Sequence, residues 1–103
     1  MFKGYKKVKT RIKGRGKYTL WVAETPKQQK LGLSGIKELP KKHGMIFVYN
    51  TPVDHAFTME KTSIPLTIMF LDKNFDVIDV FNCRPFQKKS VKPRSKYSYV
   101  VEI

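Results

Sequence analysis

From Lys7 to Lys17 a cation stands at every odd position, with Val8, Thr10, Ile12, Gly14 and Gly16 between them. Alternate residues of a strand point to opposite faces, so this period of two predicts a ribbon with a sorted surface. One face carries Lys7, Lys9, Arg11, Lys13, Arg15 and Lys17. The other carries Val8, Thr10 and Ile12, and beyond the glycines Tyr18, Leu20 and Val22, the pattern of a strand resting on a core. Glycine adopts positive φ without a Cβ clash, so Gly14-Arg15-Gly16 reads as the bend of a hairpin, or a bulge, within a basic hairpin spanning about residues 5–23.

The pattern then changes. In "ETPKQQKLGLSG", Thr25 suits a helix cap, Pro26 the first helical position, and Gln28 the far side of a capping box. A helix of about two turns is expected between Thr25 and Gly35, anchored by Leu31 and Leu33. "IKELPKKHG" reads as a loop. Five β-rich segments follow: 45–49, 55–60, 66–72, 76–82 and 97–103, most of them separated by turn residues such as Asn50-Thr51-Pro52 and Asp72-Lys73-Asn74. Seven short strands and one short helix predict a mostly β fold, a compact antiparallel barrel or two-sheet sandwich. Arg84 to Lys96, with two prolines and six cations, reads as a long exposed basic loop.

At 103 residues the chain is expected to form a single domain, 1–103. Hydrophobic residues at 41% and aromatics at 13% exceed what a disordered chain carries. The one cysteine, Cys83, excludes an internal disulfide. The longest nearly apolar run, "IPLTIMFL", is far shorter than the roughly 20 residues of a membrane span. No apolar run follows the charged start, so no signal peptide is expected, and the composition points to a soluble protein of the cytoplasm, or of a virion if the gene is viral.

Charge changes the picture most. Twenty-one Lys and Arg against eight Asp and Glu give a formal net charge of +13 and a pI near 10.0. Residues 1–17 and 84–96 contain no acid at all. Like charges side by side on a ladder repel. A polyanion offsets that repulsion, and Lys7, Lys9, Arg11, Lys13, Arg15 and Lys17, joined by Lys88, Lys89, Lys92, Arg94 and Lys96, are the residues expected to meet it. The partner expected is nucleic acid or an acidic protein surface.

Three stretches carry a family resemblance: "AETPKQQKLGLSG" with "LPKKHGMIFVY", then "FTMEKTSIPLTIMFLD", then "YVVEI". In order and spacing, from about residue 21 to 103, they are similar to the domain of unknown function 192 family, small β proteins of bacteria, archaea and some phages. The resemblance implies a mostly β domain with one short helix and no established activity. Family members typically read Trp-Met-Lys-Asn-Thr where this chain has Thr58-Met59-Glu60-Lys61-Thr62, and Ile-Pro-Leu-Asp where it has Ile64-Pro65-Leu66-Thr67.

Glu60, Lys61 and Thr62 are the polar cluster inside that motif; they read first as a turn satisfying its own backbone and second as the candidate small-ligand pocket. His43, His55, Asp54 and Cys83 lack the spacing of a metal site, and no cofactor is expected. No nucleophile with its base and orienting group is marked, so a non-enzymatic basic binding domain is the leading reading. A small virion-associated or assembly protein comes second, and a ligand-binding domain or enzyme using Glu60 to Thr62 third.

Overall fold

The structure, a computed structural model, describes residues 2–103. β1 (Lys6–Ile12) and β2 (Gly16–Ala23) form the hairpin that the alternation predicts, pairing Lys9 with Thr19 and Arg11 with Lys17. Gly14 and Gly16 sit at φ of 78° and 94°, and the Arg15 N–H donates to the Ile12 carbonyl at 2.9 Å to close the turn. A side chain at either glycine would strain the bend.

α1 (Pro26–Leu31) begins on the expected capping box. The Gln28 N–H donates to Thr25 Oγ1 at 3.1 Å, and Gln28 Oε1 accepts from the Thr25 N–H at 3.2 Å. The helix stops at Gly32, at φ 51°, earlier than the expected Gly35. None of its six residues is buried, so caps and one side-chain tie hold it: Gln29 Nε2 donates to the Val48 carbonyl at 2.7 Å. Of the two expected anchors, only Leu33 is buried, at 2% exposure. Leu31 is 52% exposed because it ends the outward side of the last turn, whereas Leu33 lies past Gly32 where the chain folds inward.

β3 (His43–Val53) is longer than the expected 45–49. Its pairing register slips between Val48 and Val53, and that irregularity admits Pro52, which has no N–H to offer a ladder. β4 (Leu66–Leu71), β5 (Val77–Cys83) and β6 (Tyr97–Glu102) complete one sheet in the order β1-β2-β3-β6-β4-β5. β2 and β3 are parallel, α1 lying in the connection between them, and every other pair is antiparallel. The fold is therefore mostly β as expected, but among the described residues it is a single open mixed sheet of six strands with β1 and β5 at its edges, not a closed or wholly antiparallel one.

The seventh expected strand does not form. In 55–60 the only ladder contact is the isolated pair Phe57 and Val91, whose backbones exchange hydrogen bonds of 2.8 and 2.9 Å. Its apolar residues act as single plugs instead. The Phe57 ring meets Phe47, Phe70 and Tyr97 edge-on, and Met59 is buried. The partner segment also departs from expectation: within 84–96, Val91 and Pro93 are buried, so this loop is pinned to the core as well as basic.

Both faces of this one sheet carry apolar clusters, unlike the sheets of the expected sandwich, each of which would bury one face only. Trp21, Ala23, Met45, Phe47, Ile68, Phe70, Tyr97 and Val100 form the larger, covered by Leu33, Met59 and Val91 from the loops. Leu20, Met69, Leu71 and Val101 form the smaller and floor an open, mainly apolar groove of about 820 Å³. Among the described residues, no helix is long and apolar enough to cross a membrane.

Candidate functional site

The β1–β2 pairing puts Lys9, Arg11 and Lys17 on one side of the hairpin, and the parallel pairing of β3 to β2 adds His43 to that side. Register places His43 beside Thr19, so the loop residue just before it, Lys42, arrives next to the same ladder; the Thr19 N–H donates to the Lys42 carbonyl at 2.9 Å. Lys9, Arg11, Lys17 and His43 border a cleft of about 440 Å³ with Thr10, Tyr18, Thr19 and Lys42, no acid lining it, while the Lys42 ammonium lies on the opposite, Tyr18 face.

Lys42 is held rather than loose. Its φ is 58°, its Nζ donates to the Arg15 carbonyl at 2.7 Å, and it lies 4.9 Å from the centre of the Tyr18 ring. A cation above a ring face gains roughly 0.5–1 kcal/mol at an exposed site. The His43 ring packs 5.2 Å from Trp21 with Nδ1 2.8 Å from the Lys41 carbonyl. Neither Lys42 nor His43 is marked by the alternation that identifies the hairpin cations, because a parallel crossover brings them in. Lys7 sits further along β1 opposite Trp21, while Lys13 and Arg15 lie in the turn, all three exposed.

The second basic group is elsewhere. Lys88, Lys89, Lys92, Arg94 and Lys96 lie on the segment leading into β6, and Arg94 binds β5, the edge opposite β1. The eleven expected cations thus form two patches. Arg94 is also already engaged: Nη2 donates to Asp79 Oδ1 at 2.7 Å and to the Ile78 carbonyl at 3.1 Å, and its backbone N–H donates to Asp79 Oδ2 at 2.7 Å. These bonds hold the Asp79 carboxyl below the usual carboxylate range and push the Arg94 guanidinium up. Among the described residues the only other ion pair joins Lys6 to Glu24 at 3.2 Å, so the hairpin cations that face the cleft have no acidic partner.

The Glu60-Lys61-Thr62 cluster divides. Glu60 and Lys61 are exposed, and the Lys61 and Thr62 carbonyls accept from the N–H groups of Gly35 and Phe86 at 3.1 and 2.8 Å, stitching the surrounding loops. Thr62 itself is buried and lines a cavity of about 520 Å³ beneath α1, which Glu60 and Lys61 do not reach. Glu102 of β6 lines the same cavity. Cys83 is buried, its thiol pushed up by burial and by the nearby Glu102. Among the described residues no three His, Cys, Asp or Glu side chains come close enough to share a metal ion.

Two solved structures share the architecture. A protein from Sinorhizobium meliloti 1021, described as a candidate transcription regulator, is 25% identical with a TM-score of 0.87, over 96% of this chain and 81% of that one. A protein of unknown function from Novosphingobium aromaticivorans DSM 12444 is 28% identical with a TM-score of 0.81, over 96% and 72%. No curated protein matches the chain. Residues 8–103 match the model of DUF192 (Uncharacterized ACR, COG1430), and over that span, nearly its whole length, the chain belongs to the DUF192 family.

Proposed function

We propose that this protein is a non-enzymatic polyanion-binding domain, that its ligand is nucleic acid, and that the hairpin cleft is where phosphates bind. One observation carries the reading: Lys9, Arg11 and Lys17 of two paired strands stand on one side of the hairpin with His43 beside them, bordering a cleft without an acid among its walls. Such a site costs stability through repulsion, and phosphate relieves it while releasing condensed counterions. On the opposite face, the Tyr18 ring beside Lys42 adds a surface on which an unpaired base could stack. The likeness to a candidate transcription regulator fits the same class of partner. Nothing lining the cleft is arranged to read base edges, so binding is expected to be indifferent to sequence. A protein of this kind works in the cytoplasm, or on a packaged genome if the gene is viral.

Salt titration tests the proposal. Log affinity for a DNA duplex should fall linearly with log salt, by about 0.9 per phosphate neutralised. Replacing Lys9, Arg11 and Lys17 by Gln should remove roughly two to three units of that slope and weaken unrelated sequences alike. A folded triple variant with unchanged slope and affinity sinks the reading. If the variant instead loses capture of an acidic protein while duplex binding persists, the face belongs to protein assembly.

A further inference from the structure

The cavity beneath α1 is independent of the cationic cleft and has its own chemistry. At its inner end stands Glu102, only 5% exposed, on the face of β6 that also holds Val100 of the main core. Among the described residues no side chain forms an ion pair with it, and no buried side-chain oxygen or nitrogen wholly closed off from solvent lacks a hydrogen-bond partner. The carboxyl therefore opens to the cavity. Gln29, which also borders the space, is already spent on the Val48 and Ala23 carbonyls. Phe47, Phe57, Leu33 and the Tyr49 ring make the walls, with the Thr62 hydroxyl nearby.

We propose that this cavity binds a small organic amine, with its ammonium group against the Glu102 carboxylate and its hydrocarbon part against Phe47, Phe57 and Tyr49. A lone carboxyl suits a monovalent organic cation better than a metal ion, which needs several ligands, and no group of three candidate ligands exists among the described residues. Aromatic rings line the same cavity as the carboxyl, and an aromatic π-face attracts the same kind of cation. The volume, about 520 Å³, is that of a small-molecule site.

Occupancy is linked to a proton. Burial pushes the empty Glu102 carboxyl up to about 8, so near neutrality it is mostly protonated, and a bound ammonium must displace that proton to solvent. The other titratable groups around it are Tyr49 of β3, Cys83 of β5, His55 of the 54–65 segment and Lys30 of α1. Tyr49 and Cys83 are themselves pushed upward and stay neutral through this range.

Calorimetry with n-butylammonium and 2-phenylethylammonium tests this, with 2-phenylethanol as the neutral control. At pH 6.5, in two buffers of different ionisation enthalpy, at least one amine should bind with release of close to one proton while the alcohol binds at least tenfold more weakly. Affinity should rise nearly tenfold per pH unit up to about pH 7.5 and flatten above 8. Glu102→Gln should abolish amine binding and its pH dependence; should that variant misfold, the wild-type comparison of amine with alcohol decides alone. Binding of neither amine at millimolar concentration, equal binding of amine and alcohol, or amine binding retained in a folded Glu102→Gln variant overturns the proposal. Each of these is read away from the hairpin, so phosphate binding there can fail or succeed without moving the result.

Discussion

Leu31 and Leu33 stand two residues apart on the same short stretch, yet one is half out in solvent and the other is enclosed. Leu33→Ala should cost about 2–5 kcal/mol by urea unfolding and Leu31→Ala only a few tenths, because the cost follows buried contacts and the cavity left behind. Sequence pattern could not separate them, since a helix ending one turn earlier at Gly32 rotates which residue faces in. Lys42 has the same character: its charge is evident in "KKHG", but its place beside Arg15 and Tyr18 depends on a pairing between segments over 20 residues apart. Glu102 was visible only as an acid in an otherwise apolar strand, "YVVEI".

Elements defined by local chemistry were legible. The hairpin needs only alternation and two glycines, and α1 needs only a cap, so both appear where the sequence places them. Thr25→Ala should therefore destabilise the protein by about 1 kcal/mol, since it opens the capping box and frees the Gln28 N–H, and Thr25→Ser should restore most of it. Segment 55–60 was not legible for the complementary reason. Its Phe and Met have strand composition, but no neighbour offers a continuous ladder, and Phe57 and Met59 bury themselves one at a time. Parallel order between β2 and β3 likewise leaves no mark in either strand, because the direction of pairing is set by the crossover.

At the scale of the whole molecule, acidity acts through two opposed groups. Glu102 keeps its proton in the folded state up to about pH 8, while an unfolded chain releases it near 4.5, so stability falls as pH rises between these values and levels off beyond. Asp79 runs the other way: its ionised form is held by Arg94, and that contribution, present above about pH 3.8, is lost as pH falls through its lowered folded value. Denaturant unfolding should thus show greatest stability near pH 4–5, well below the pI near 10.0. From pH 5 to 8 the decline should be on the order of a few kcal/mol in the wild type and nearly absent in Glu102→Gln. A wild-type curve flat across that interval would mean the carboxyl is hydrated or paired in solution. The sheet order has its own outcome at this scale. β6, last of the six strands in chain order, is the only one that joins β1-β2-β3 to β4-β5, pairing with β3 on one side and β4 on the other. During synthesis the two pieces wait as separate ribbons with open facing edges, each a template for a strand from another chain. A gap shaped to take one strand from within accepts the same strand offered in trans, so exchange of β6 between copies is the misassembly this topology invites.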